Sequence, residues 1–185
     1  VYKRQVYGGI AGDTMGAWVA GNGVFHEPDE GAIEAGAARV TRPFGAGSKG
    51  PATGLSDIRT RLHDLMWDDV GIFRDAASLA RASGVLEELD AWLDTTGVAD
   101  GQRAFNLTWH DWINLKNLVL VSQAIRGAAE QREDSRGAHF RNDHPDVRDL
   151  ENSRYTTVRL DGSRFDYGTR PVVFSRVKPG QSLIS

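Results

Sequence analysis

SRGAHFRNDHP, Ser135 to Pro145, stands directly behind a long amphipathic stretch and marks where the helical part of the chain must end. A small-residue turn carrying two arginines, two histidines and an aspartate, closed by proline, is too polar for a core. Upstream of it, Trp112, Leu115, Leu118 or Val119, Ser122, Ile125 and Ala129 recur at helical spacing, and Thr108 with Asp111 predicts a capping-box-like start. Before that, Asp75 is placed to cap a helix whose apolar line is Leu79, Ala82, Leu86, Leu89 and Leu93, ending at Gly97. Leu55, Ile58, Leu62, Leu65 and Met66 mark an earlier helix, with Arg59, Arg61 and Asp64 facing away. It is expected to stop near Val70-Gly71, with the glycine in the left-handed terminal conformation. Three such stripes predict a mainly α fold: an up-down-up, antiparallel three-helix bundle with Leu62, Leu86, Leu89, Leu115 and Leu118 in its core.

Downstream of the turn the period changes to two. Tyr155 to Leu160, the turn Asp161-Gly162, and Phe165 to Phe174 predict a C-terminal β-hairpin, with Pro171 confining the second strand to an edge or ending its pairing. Far upstream, Val6 to Ala20 (VYGGIAGDTMGAWVA) has apolar and small residues all round, as in a buried helix. Its glycines each cost up to about 1 kcal/mol relative to alanine, so packing against another domain has to compensate. Gly21 to Thr53 reads as a surface connection with a short helix over Glu30 to Ala38. Val1 to Gln5 reads as the translation of a transposon adapter used in sequencing-library preparation, which puts the natural N-terminus elsewhere. The division is therefore residues 1–5 adapter-derived, 6–20 one helix of an upstream domain, 21–53 linker, 54–134 bundle, and 135–180 turn and hairpin.

Composition excludes several classes. With 22 basic and 25 acidic residues the net charge is −3, so no global field favours nucleic acid as a partner. There is no cysteine, hence no disulfide, no cysteine nucleophile and no cysteine-ligated cluster within the chain, which fits a reducing compartment and a cytoplasmic location. No apolar run approaches the roughly 20 residues of a membrane helix, so no direct membrane insertion is expected.

Gly45 to Gly50 (GAGSKG) matches G-x-G-x-x-G literally, but Arg42-Pro43 precedes it and Pro51 follows at once. A dinucleotide site needs a strand before the glycines and a helix after, so this is read as a loop. His139, Asp143 and His144 are close in sequence, yet Arg136 and Arg141 beside them would repel a cation, and no metal is expected. His63 and His110 read as helix-surface residues. Trp67, Trp92, Trp109 and Trp112 fall at the ends of apolar stripes without a basic tract, which favours core or interdomain packing over a stacking platform. The group Arg136, His139, Arg141 and Asp143 has two readings. One is an electrostatic clamp, with arginines on carboxylates or helix-end carbonyls; the other is an interface with another domain or an electron-transfer partner.

The Arg-Gly-Ala-His run, LMWDDVGIFRD (Leu65 to Asp75), TWHDWINLKNLVLVSQAI (Thr108 to Ile125) and TTVRLDGSRFDYGTRPV (Thr156 to Val172) together resemble the C-terminal part of succinate dehydrogenase and fumarate reductase flavoprotein subunits. VYGGIAGD (Val6 to Asp13) is similar to the last helix of that family's flavin domain. The resemblance implies a parent enzyme exchanging hydride between FAD and a dicarboxylate, an upstream FAD-binding domain, and an iron–sulfur electron-transfer subunit through which the enzyme is membrane-associated. It carries no catalytic, cofactor-binding or metal-binding residue onto this chain, so no FAD is expected to be bound by it alone. The family's acidic residue after the second arginine is Asn142 here, so no salt bridge is expected from that position. L-aspartate oxidase and adenylylsulfate reductases share the architecture, and a helical interaction module without a catalytic parent is the remaining alternative.

Overall fold

In the computed structural model, residues 2–23, 27–45 and 53–182 are described. They fall into two units, Val1–Arg39 and Val40–Ser185. The GAGSKG run lies outside the described residues beyond Gly45, as does His26.

The first unit holds helix α1 (Tyr2–Asn22) and most of α2 (Glu30–Gly45). Tyr2 to Gln5, read from sequence as foreign, are part of α1. Val6, Tyr7, Ile10, Met15, Trp18 and Val19 of α1 are all exposed in this chain. Helix α2 starts where Asp29 caps the backbone N–H of Ala32 at 3.0 Å. It runs well beyond the expected Ala38 and carries Pro43 within it. Its last residues belong to the second unit: Pro43 is buried there, and the Val40 carbonyl accepts from Trp109 Nε1 at 2.7 Å.

Helices α3 (Thr53–Asp68), α4 (Ala76–Thr95) and α5 (Leu107–Gln131) form the bundle. Their pairing runs antiparallel: Arg81 meets Asp69 while Arg61 meets Glu88, and Lys116 reaches Asp90 and Asp94 while Trp112 Nε1 donates to the Leu93 carbonyl. The core gathers Ile58 and Leu62 from α3, Leu79, Leu86, Leu89 and Leu93 from α4, and Leu115 and Val119 from α5. Leu118 is a correction: it is 44% exposed, because α5 is rotated so that Leu115, Val119 and Ser122 face inward. Trp67 is 82% exposed in this chain and so outside the core, whereas Trp112 is buried and Trp109 packs on Phe44.

The caps show which signals were local. Asp75 accepts from Ser78 N at 2.7 Å and Ser78 Oγ accepts from Asp75 N at 3.0 Å, a reciprocal capping box. Helix α4 ends one residue earlier than expected, on Thr96, whose hydroxyl and N–H both reach the Trp92 carbonyl. Helix α5 is capped by Asn106, not Thr108: the Asn106 side chain accepts from Trp109 N at 2.9 Å and donates to Asp100 and Gln102 carbonyls. Helix α3 stops at Asp68, and Gly71 does not adopt positive φ; a Cβ there would run into the Trp67 carbonyl instead.

Two short strands, β1 (Phe73–Arg74) and β2 (Phe140–Arg141), pair in parallel beside the start of α4. Strands β3 (Arg154–Asp161) and β4 (Arg164–Pro171) form the hairpin. Its two central residues are Gly162 and Ser163, one step later than expected. Gly162 at φ 60° supplies the positive φ that a type II′ turn needs at that place. Strand β4 runs to Pro171 on the edge of this two-stranded sheet, where a missing N–H is tolerated, and the next N–H, of Val172, still donates to the Ser153 carbonyl at 2.8 Å. Tyr167 docks the hairpin on α5, its hydroxyl donating to the Gln123 carbonyl at 3.2 Å over Gly127. No helix among the described residues is long and apolar enough to cross a membrane.

Leu86→Ala is expected to cost about 2–5 kcal/mol in chemical denaturation, while Leu118→Ala stays within about 0.5 kcal/mol. At Gly127 a Cβ would clash with the hydroxyl end of Tyr167, its oxygen and Cζ. Gly127→Ala should therefore lower the melting temperature, and a Gly127→Ala, Tyr167→Ala double variant should melt no lower than Tyr167→Ala alone. Additive losses in that cycle would show that the glycine does not serve the docking.

Candidate functional site

The last carbonyls of α5 have no partner within the helix, and Arg132 at its C-cap turns the chain away. Arg141, arriving on β2, fills that end. Its Nη1 donates to the carbonyls of Ala129, Glu130 and Arg132 at 3.2, 3.2 and 3.1 Å. The other edge of the guanidinium grips Asp143 as a fork, Nε to Oδ1 at 2.7 Å and Nη2 to Oδ2 at 2.8 Å. Asp143 Oδ2 in turn accepts from the backbone N–H of Ala76, the first residue of α4, at 2.9 Å. A cation thus sits on the negative end of α5 and an anion on the positive end of α4, and the two are bonded to each other. The Arg141 side chain is only 3% exposed. The hydrogen bond from Arg141, with the Ala76 N–H adding to it, holds the Asp143 carboxyl well below the usual carboxylate range, and the same bond raises Arg141.

The turn between α5 and β2 is closed on itself. Arg136 and His139 exchange backbone hydrogen bonds at 2.8 and 3.1 Å across Gly137, which has φ 58°. Ser135 Oγ donates to the His144 carbonyl at 2.8 Å and accepts from Arg141 N at 2.9 Å. Arg136 then reaches outward. It pairs with Asp134 at 2.7 Å and donates to Val147 and Asp149 carbonyls and to Ser153 Oγ, so it fastens the segment that leads into β3.

His139 faces Arg74 rather than a carboxylate. Arg74 Nη1 lies 2.6 Å from His139 Nδ1, and a guanidinium can only donate, so Nδ1 accepts and the ring proton resides on Nε2, 3.4 Å from the Arg132 carbonyl. Burial first, and then the charges of Arg74 and Arg132, push the imidazole below its ordinary range, against the hydrogen bond to Arg132. Burial and the nearby Arg141 lower Arg74 as well.

The structure therefore brings Arg136, His139, Arg141 and Asp143 to one junction, but in two branches: Arg141 with Asp143 between helix ends, and His139 with Arg74 beside them. His144 contributes its backbone, and the side chains of His139 and Asp143 point to different partners; no group of three or more metal-ligating side chains stands together among the described residues. Asn142 makes no ion pair, and its backbone N–H bonds the Arg74 carbonyl at 2.7 Å. Sequence reading missed Arg74, Asp134 and Ser135. A weak signal existed for Arg74, which immediately precedes the helix cap Asp75.

The residues described do not fit a dinucleotide. The one strand that leads into a helix is β1, and the α4 N-terminus behind it has no glycine turn. Its N–H groups at Ala76 and Ser78 are already taken by Asp143 and Asp75, where a pyrophosphate would need them.

The family model described as fumarate reductase flavoprotein C-term matches residues 59–183. The chain belongs to this family. It is 30% identical over 134 residues to the 8-methylmenaquinol:fumarate reductase flavoprotein subunit of Wolinella succinogenes, covering 72% of this chain and 22% of that protein. It is 33% identical over 110 residues to an L-aspartate oxidase of Streptomyces coelicolor, covering 58% of this chain and 18% of that protein. Among solved structures, Sdh1 of Mycobacterium smegmatis, in complex with UQ1, superposes with a TM-score of 0.75 at 28% identity, over 85% of this chain and 26% of that one. The chain thus spans about a fifth of the length of these curated relatives, and the fold is that of the C-terminal region of fumarate reductase and succinate dehydrogenase flavoproteins.

Both branches of the junction are sensitive to acid. The His139 value is depressed in the folded chain, so its contribution is complete above the unfolded value of about 6.5 and is lost as pH falls through the folded value. Asp143 is depressed too, so its contribution is lost only at lower pH, below the unfolded value of about 3.9. Stability measured by urea denaturation should fall in two stages on acidification. His139→Gln should remove the upper stage and Asp143→Asn the lower. An unchanged upper stage in the His139 variant would show that another group titrates there.

Proposed function

We propose that the chain is the C-terminal region of an FAD-dependent oxidoreductase that transfers hydride between flavin and a dicarboxylate, and that Arg136, His139, Arg141 and Asp143 are its structural clamp. The clamp rests on one observation above others: the Arg141–Asp143 pair bonds the end of α5 to the start of α4 and leaves neither side chain free for a reactant. Family membership supports the redox reading, since the relatives are named as fumarate reductase and succinate dehydrogenase flavoprotein subunits.

In this reading, residues 6–20 belong to the end of the FAD-binding domain, 21–53 connect, 54–134 are the bundle and 135–180 the turn and hairpin. The apolar exposed residues of α1 are what a helix of a larger domain would present. FAD is held by the upstream domain and not by this chain, an iron–sulfur subunit receives or supplies electrons, and attachment to the membrane runs through partner subunits. The L-aspartate oxidase reading is kept alive by the 33% identity over 110 residues. Assaying the parent enzyme with succinate, fumarate and L-aspartate separates the two.

Expressed alone, the chain is expected to retain no flavin through gel filtration and to turn over no dicarboxylate; stoichiometric yellow flavin in the protein peak would overturn this. In the parent enzyme, Arg136→Ala should lower the melt or weaken assembly, through hydrogen bonds from a charged group worth about 1.5–3 kcal/mol each. Flavin reduction in correctly assembled enzyme should fall only modestly. An unchanged melt with reduction slowed about a thousandfold, some 4 kcal/mol of barrier, would place the turn in the chemistry.

A further inference from the structure

Beside the clamp lies an open cavity of about 430 Å³. One wall carries the arginines Arg74, Arg132 and Arg136 with the neutral ring of His139; the other is apolar, from Ile125, Ala128 and Ala129. The charges on that wall are not equivalent. Arg132 and Arg136 share Asp134, at 3.1 and 2.7 Å. Arg141 behind them is matched by Asp143. Arg74 pairs with no carboxylate among the described residues: it donates to the carbonyls of Val70 and Gly71, at 3.1 and 2.5 Å, and to the neutral imidazole of His139 at 2.6 Å. A half-buried guanidinium next to a second arginine and without a counter-charge is costly, and its lowered proton affinity is the signature of that cost.

We propose that this cavity binds a small organic carboxylate, with its oxygens on Arg74 beside His139 and its hydrocarbon part against Ile125, Ala128 and Ala129. The planar fork of arginine matches a carboxylate. The apolar wall selects an organic acid over inorganic phosphate or sulfate, which have no methylene to place there. The volume lies in the range of small-molecule sites, roughly 300–1,000 Å³. The site goes beyond the clamp because it uses the arginine that the clamp leaves unmatched, and it stands whether or not the parent enzyme acts on a dicarboxylate.

The test is a ¹H–¹⁵N NMR titration of the full chain with disodium glutarate and with sodium acetate, against sodium sulfate at matched ionic strength. Glutarate is expected to shift the Arg74 Nε–H and His139 ring signals saturably, acetate more weakly, and sulfate not saturably. Arg74→Gln should weaken glutarate binding about tenfold or more, the loss of one charge-assisted contact. Because Arg74 also holds the Val70-Gly71 carbonyls, a second variant leaves it in place. Ile125→Glu, at a position already 44% exposed, puts the chain's own carboxylate at the cavity; it should abolish glutarate binding and raise the melting temperature. No saturable shift at tens of millimolar, equal shifts with sulfate, or unimpaired binding in Ile125→Glu would each overturn the proposal. A raised melt in Ile125→Glu with no glutarate binding to the unmodified chain would mean that the site takes a protein carboxylate instead, and the small-ligand reading would fall.

Discussion

The pairing of Arg141 with Asp143 is the constraint on which the geometry of the second unit depends. Every helix ends with carbonyls and begins with N–H groups that nothing within the helix can satisfy. Here one ion pair serves both: the guanidinium takes three carbonyls at the end of α5, and the carboxylate takes the first N–H of α4. Removing Asp143 would leave the buried Arg141 guanidinium without its counter-ion and the Ala76 N–H without its acceptor, and removing Arg141 would leave the α5 carbonyls uncapped. That asymmetry makes the pair a stringent determinant of where the turn can lie, whatever its net contribution to stability.

The path of the turn follows from this. With Arg141 anchored, Phe140 and Asn142 bond the carbonyls of Ile72 and Arg74, the Phe73 and Phe140 rings meet edge-on, and β1 and β2 are held in register. Arg136 then ties the loop at Val147, Asp149 and Ser153, which sets the entry to β3. The hairpin returns to α5 where Gly127 leaves room for Tyr167. A glycine inside a helix costs about 1 kcal/mol by propensity, and here it is offset by the close approach of an aromatic ring.

Much of the fold was legible because its signals are local. The spacings of Leu55, Ile58 and Leu62, and of Leu79, Leu86 and Leu93, identify inward faces directly, and Asp75 is recognisable as a cap from its own neighbourhood. Asn106 was not, because its worth comes from holding Asp100 and Gln102 as well as the helix start, while Thr108 offered a more familiar pattern. Trp67, one of four tryptophans read as core or interdomain packing, stands outside the buried cluster of this chain. At the junction, the arginines and histidine were visible as a polar cluster, and carbonyl capping was one of the two readings. For Arg74 the sequence offered only its place before the cap Asp75, since its imidazole partner is 65 residues away.

Helix α5 shows why spacing alone could not choose between Leu118 and Val119. Neighbouring helical residues point about 100° apart, so Leu115, Val119 and Ser122 form one stripe and Leu118, Val121 and Ile125 a second. Both stripes satisfy the three-and-four rule, and both are largely apolar. What selects the first is the opposing surface: Ile58 and Leu62 on α3 and Leu86 and Leu89 on α4 belong to the same buried cluster as Leu115 and Val119. The second stripe stays exposed, from the Asn114–Val121 surface to the wall of the carboxylate cavity at Ile125. A helix with two apolar faces has two self-consistent orientations in a bundle, and its sequence can specify the pair without specifying the member. The docked hairpin removes that freedom as well, because Gly127 admits Tyr167 only when the Leu115 face is turned inward.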